Sequence, residues 1–136
     1  MGELYLEVIT PEEVVVSQEA DLVVAPGTLG EFGVLPEHMA FLSGIVPGEL
    51  RFSLDGKTET LAVTTGFSEV FENRISVLVD AAERVREIDV ERARRAMERA
   101  KERLAKDRKT EDIDFLRAEA ALRRAVVRLK VAESEK

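Results

Sequence analysis

Hydrophobic and polar positions alternate through the first two thirds of the chain and then change period. "LYLEVI" alternates residue by residue until Thr10-Pro11 interrupts it, and "VVVSQ" and "DLVVA" follow as further apolar runs separated by polar residues. A period of two puts successive side chains on opposite faces, so each run predicts a strand. "PGTLGEFGVLPEHMA" carries three Gly and two Pro and reads as a long loop. "ELRFSL" and "TETLAVT" flank Asp55-Gly56, which supplies the paired positive φ values of a type I′ turn, and so predict a β-hairpin. Gly66 punctuates before "FSEVFE", and Asn73-Arg74 turns the chain into "ISVLVD", with Ile75, Val77 and Val79 on one face. Many short strands at close spacing predict an antiparallel β-sandwich or barrel rather than a βαβ fold.

The second part has a helical period. Val90, Ala93, Met97, Ala100 and Leu104 are spaced three and four apart, as are Phe115, Ala118, Leu122, Ala125 and Leu129. Both sets predict amphipathic helices with narrow stripes rich in small residues. The link "KDRKTED" is short and polar, so the helices fold back as an antiparallel hairpin. Each begins alike, with "IDVERA" at residues 88–93 and "IDFLRA" at 113–118. In both, Asp89 or Asp114 can cap the free N–H groups of the first turn, and the preceding Ile can pack on the turn above. The expected fold class is α+β, with a sandwich domain over residues 1–85 and a hairpin domain over 86–136.

Charge sharpens that division. The 136-residue chain has a net charge of −7. Residues 1–85 hold 4 Lys and Arg against 15 Asp and Glu, and residues 86–136 hold 16 against 12. The two parts therefore face different partners. The chain has no Cys, which excludes a disulfide framework, a thiolate nucleophile and a cysteine-bound zinc. No apolar run approaches the roughly 18 residues that span a bilayer, and the acidic N-terminus does not read as a secretory signal.

Within the acidic chain, "REIDVERARRAMERA" carries five arginines. Arg92, Arg95, Arg99 and Arg103 step by three, four and four, forming a row beside the first apolar stripe. Arg124 and Arg128 lie one turn apart beside the second, and Arg123 competes with Arg124 for the inward position. With the stripes facing each other, the rows flank one groove, and guanidinium forks suit phosphate oxygens. A solvated face laced by Glu91–Arg95 and Glu119–Arg123 pairs is the plainer alternative, each pair contributing about 0.2–0.5 kcal/mol.

Other chemistry is weak. "GTLGEFG" lacks the Lys-Ser or Lys-Thr ending and the following helix of a phosphate loop. His38 is the only His, with no nucleophile or ligand pattern around it. No catalytic residues and no metal site are expected. The basic half lacks interleaved aromatics and its acids nearly balance its bases, so nucleic acid is not an expected partner.

Taken in order, "GEFGVLPEH", "TGFSEV", "VLVDAAE", "IDVERA" and "RAEAALRRAVVRLKVAE" resemble the epsilon subunit of the bacterial F-type ATP synthase almost end to end. "GEFGVLPEH" is similar to the family's GELGILPGH loop and "TGFSEV" to its GGFLEV. The chain departs from the pattern at Glu37 and Thr65, where the family often has Gly.

The resemblance implies a non-catalytic subunit at the cytoplasmic face of the bacterial plasma membrane, peripheral and not inserted. It implies a sandwich that binds the gamma subunit and the c-ring, with contacts around Glu31 and His38. It also implies a mobile hairpin that reaches the catalytic beta subunits and inhibits ATP hydrolysis when extended. Some members bind ATP without hydrolysing it through an I(L)DxxRA motif, matched here by Ile88, Asp89, Arg92 and Ala93. Glu83, Arg99, Arg124 and Arg128 match the other binding positions. ATP is thus the expected regulatory ligand, with Mg²⁺ a candidate companion. A purely structural coupler without nucleotide sensing is the alternative, and an unrelated adaptor for an acidic protein is a further one.

Overall fold

The computed structural model describes residues 3–106 and 112–133. The chain divides into two compact units, Met1–Arg84 and Val85–Lys136.

Among its described residues the first unit contains ten strands: β1 (Leu4–Ile9), β2 (Val14–Ala20), β3 (Leu22–Gly27), β4 (Gly30–Val34), β5 (Phe41–Ile45), β6 (Gly48–Leu54), β7 (Lys57–Val63), β8 (Gly66–Phe71), β9 (Arg74–Val79) and β10 (Ala82–Arg84). They hydrogen-bond in the order β10-β7-β6-β3-β5-β8-β9-β1-β2, with β4 paired to β3. Alternation in the sequence sets which face is buried: Leu4, Leu6 and Val8 on β1 and Ile75, Val77 and Val79 on β9 all point into one core. The sheet closes on itself as a sandwich approaching a barrel. Arg84 at one end of the strand order donates to the carbonyl of Val15 at the other, at 3.2 Å, while also pairing with Glu59 at 2.9 Å.

Two hairpins turn on left-handed residues. Leu54 pairs with Lys57 across Asp55 (φ 51°) and Gly56 (φ 81°), the type I′ geometry that Asp-Gly predicts. Phe71 pairs with Arg74 across Glu72 (φ 47°) and Asn73 (φ 60°), one residue earlier than the expected Asn73-Arg74. Gly66 is required by close approach, since a Cβ there would lie 1.9 Å from the carbonyl oxygen of Leu78.

Two expectations need correction, and strands β5 and β10 lie outside the runs read as strands. The sheet is not wholly antiparallel, because β1 runs parallel to β9, with Leu6 beside Ile75. A parallel pair needs a long crossover, which the intervening strands supply. The expected loop at residues 26–40 contains β4, a short strand whose Phe32 and Val34 are its only large apolar side chains and are flanked by Gly. The three-residue β10 carries no alternation long enough to read.

The second unit opens with a 3-10 turn at Val85–Glu87, followed by α1 (Val90–Lys106) and α2 (Asp112–Glu133). The helices pack along a seam in which Ala93, Ala100, Ala118 and Ala125 are buried. Met97, Leu104, Leu122 and Leu129 border it half-buried. Small side chains let the two backbones approach closely. Helix α2 begins at Asp112, so Ile113 and Asp114 lie in its first turn rather than ahead of it. The side chains of Ile113, Asp114 and Phe115 and most of the "KDRKTED" link lie outside the described residues.

Candidate functional site

Helix α1 starts as its sequence dictates. Asp89 is the N-cap: its Oδ1 accepts from the amide of Arg92 at 3.1 Å, and its carbonyl accepts from the amide of Ala93 at 3.0 Å. Ile88 is buried just before the cap, and its amide donates to the carbonyl of Val85. The cap fixes the first helical turn, and with it the stem of Arg92, which is exposed beside the buried Ala93.

Further along the pair, a cavity of about 270 Å³ is lined by Ala96, Arg99, Ala100, Arg103, Ala118 and Ala121. Arg99 and Arg103 are thus brought together over a floor of alanines. Arg92, Arg124 and Arg128 do not line that cavity. Their level on the helices follows from the seam. With Ala96 and Ala100 facing Ala118 and Ala121, antiparallel packing sets Ala93 level with Ala125, since each lies seven residues along its own helix. Arg124 and Arg128 therefore stand level with Arg92 and the N-terminal end of α1. Arg128 is half-buried, while Arg124 is exposed.

The ion pairs sort the remaining arginines. Glu91 pairs with Arg94 at 2.9 Å, three residues on, rather than with the expected Arg95. Glu119 pairs with Arg123 at 3.7 Å as expected, which assigns Arg123 to the solvated side. Arg103 was visible in the sequence as part of the arginine row, but nothing there singled it out as lining a cavity.

The other candidate residues belong to the first unit. Glu83 lies on β10, opposite Ala62 of β7. Glu31, on β4, is held by both guanidinium nitrogens of Arg51, at 3.0 and 3.2 Å, and Arg51 also reaches Glu49 at 3.3 Å. Hydrogen bonding to Glu31, with Glu49 adding to it, raises the pKa of Arg51 above its ordinary value. The Nδ1 of His38 lies 2.8 Å from the carbonyl of Met39, and its ring packs edge-on against Phe41 at 5.9 Å.

The sandwich also carries an apolar surface that the alternation reading passed over. Gly44, Phe67, Leu78, Ile9 and Val14 are successive cross-strand partners over β5, β8, β9, β1 and β2. Phe67, Leu78 and Val14 of that row are exposed, as are Leu29, Leu42 and Phe71. The signal lay in "GFSEVF": Phe67 and Phe71 are large and apolar on the phase opposite to the buried Ser68 and Val70. Among the described residues no cluster of three or more His, Asp or Glu forms a metal site, and no helix is long and apolar enough to cross a membrane.

Comparison with known proteins matches both units. The family described as "ATP synthase, Delta/Epsilon chain, beta-sandwich domain" matches residues 3–85, and "ATP synthase, Delta/Epsilon chain, long alpha-helix domain" matches 86–133. The ATP synthase epsilon chain of Syntrophobacter fumaroxidans is 52% identical over 130 residues, covering 94% of each chain. That of Nitratidesulfovibrio vulgaris strain DP4 is 48% identical over 128 residues, also covering 94% of each. A chain in the cryo-EM structure of the Euglena gracilis mitochondrial ATP synthase (OSCP/F1/c-ring, rotational state 1) superposes with a TM-score of 0.80 at 23% identity, over 99% of this chain and 82% of that one, a likeness of fold. Sandwich, helix pair and sequence agree from end to end, and the chain belongs to the ATP synthase delta/epsilon chain family.

Proposed function

We propose that this chain is the epsilon subunit of the central stalk of a bacterial F-type ATP synthase, joining the gamma subunit to the c-ring at the cytoplasmic face of the membrane, and that its helix pair is a nucleotide-sensing brake. Folded, the pair holds ATP without hydrolysing it. Released, it extends toward the beta subunits and inhibits ATP hydrolysis. The observation that carries the sensing is the level placement of Arg92, Arg124 and Arg128 at the capped N-terminal end of α1.

The chemistry follows from that placement. Guanidinium groups brought to one level from two helices favour an anion among them, and the N-terminal end of a helix favours the same charge. Arg99 stands seven residues beyond Arg92, about 10.5 Å along the axis, within the span of a nucleoside triphosphate. One oxygen of Asp89 holds the cap, and the other is assigned to the adenine amino group. Ile88 and Ala93 supply the apolar surface at the base end. Mg²⁺, where present, travels on the phosphates.

ATP shifts the balance between folded and extended hairpins only by its differential affinity. Bound to the folded form alone at about 100 times its dissociation constant, it favours that form by about 2.7 kcal/mol. Calorimetric titration of ATP into the chain tests this. Arg92→Ala is expected to weaken binding by roughly ten- to a hundredfold, the worth of a charge-assisted hydrogen bond. Arg94→Ala, which breaks only the Glu91 pair, should leave affinity unchanged. Equal affinity in wild type and Arg92→Ala removes the arginine assignment. No binding at millimolar ATP leaves a purely structural coupler.

A further inference from the structure

Arg51 on β6 reaches over a whole strand to hold β4. Its fork takes both oxygens of Glu31, at 3.0 and 3.2 Å, and its Nη1 also reaches Glu49 at 3.3 Å. The strand register puts this reach on one face. Arg51 lies opposite Val24 of β3, and on the other edge of β3 Val24 lies opposite Gly33 and Pro26 opposite Glu31. A period of two therefore leaves Glu49, Arg51, Val24, Pro26 and Glu31 on the outer face. Phe32, opposite the buried Ala25, is on the inner face, where its ring packs edge-on against Phe41 at 5.2 Å. Strand β4 is thus gripped from both faces.

The hairpin that β3 and β4 form is also held at its base. The amide of Thr28 donates to the carbonyl of Gly44 at 3.1 Å, and a Cβ on Gly44 would lie 2.7 Å from the Thr28 methyl carbon. Beyond these ties Leu29 is wholly exposed at the tip, beside Gly30 at φ 121°. Residues 1–85 hold 15 acids and only 4 cations, and Glu31 takes the fork of one of those few. A forked pair at this exposure contributes little to stability, but its geometry is specific. Its effect is on orientation: a hairpin held beforehand in its docking geometry avoids the ordering cost of binding.

We infer that Arg51 is a positioning residue, gripping Glu31 across β3 so that the β3–β4 hairpin presents Leu29 to the c-ring at a fixed angle. Glu31 then acts inside the chain as a tie, and its charge is not the one offered to the ring. The inference rests on the reading of this chain as the subunit that joins the stalk to the c-ring, and it names the side chains that set the joining geometry.

The test uses the catalytic head with its stalk, stripped of this subunit, reloaded with the full chain or a variant, and returned to membranes of the same organism stripped of the head. Arg51→Met keeps the apolar stem and removes the fork. It should weaken rebinding to the membranes about tenfold and leave the chain's affinity for the head unchanged. It should lower the melting temperature of the free chain by less than about 5 °C. Glu31→Gln should do the same, and the double variant should be no weaker than either single one, because both remove one tie. Arg51→Lys, a point charge without the fork, should recover part of the loss. Leu29→Ser should weaken rebinding at least as much as Arg51→Met. Lys57→Gln, which removes an exposed cation at the start of β7, should change nothing. If Glu31→Gln weakens rebinding while Arg51→Met leaves it unchanged or strengthens it, Glu31 meets the ring directly and the positioning role is overturned. It is overturned equally if the two single losses add, if Leu29→Ser rebinds like wild type, or if Arg51→Met melts far below wild type, which would make the pair a support of the sandwich. If the wild-type chain restores no rebinding at all, the joining of stalk to ring itself fails, and the tie has nothing to position.

Discussion

Glu37 holds a backbone φ of 67°, the left-handed region where a Cβ crowds the following carbonyl at a cost of about 1–2 kcal/mol. Its amide is held there by Asn73, 36 residues away, so no local pattern marks the strain. The family's Gly at this position suits the conformation, and Glu37→Gly is expected to raise stability by about 0.5–1 kcal/mol after the entropy of glycine is discounted. Denaturant melts of the two chains measure it. Ser68 presents the opposite case: its hydroxyl is fully buried, with no partner among the described residues. Ser68→Ala should stabilise the chain by about 1 kcal/mol, the order of an unsatisfied polar group's desolvation. A loss of stability in the same melts would mean that the hydroxyl is satisfied. Asp55-Gly56 shows what is legible at this scale, because the turn type and the residues that satisfy it are adjacent.

Elements were legible where one period persisted. The helices and β1, β6, β7 and β9 followed from alternation or a three-four spacing, because burial on one face imposes it. Strand β4 was hidden by glycines, and the parallel β1–β9 pair depends on a crossover that no local pattern encodes. The arginine rows were visible, but their levels on the two helices required the alanine seam. That seam and the Asp89 cap carry the stability of the helix pair. Asp89→Ala should destabilise it by about 1 kcal/mol, read as loss of helical ellipticity on heating without ATP. Ala100→Leu, at a buried contact, should overpack the seam by about 1–3 kcal/mol and favour separated helices.

At the scale of the whole molecule, the acidic sandwich and the basic helix pair divide the work. The sandwich carries an exposed apolar row over five strands, and the helix pair carries the arginine rows. Charge bookkeeping made the two parts legible, but which residues meet a ligand depends on folding. If ATP holds the helix pair closed, one distance within the pair reports it. Lys101 and Arg117 are exposed and stand level across the seam, and the chain has no Cys, so Lys101→Cys/Arg117→Cys accepts two spin labels cleanly. Their separation is measured by pulsed electron resonance in the reassembled synthase. With saturating ATP a single short distance is expected. Without ATP, a second population should lengthen toward the roughly 24 Å or more that sixteen residues of continuous helix span. Identical distance distributions with and without ATP would contradict the claim.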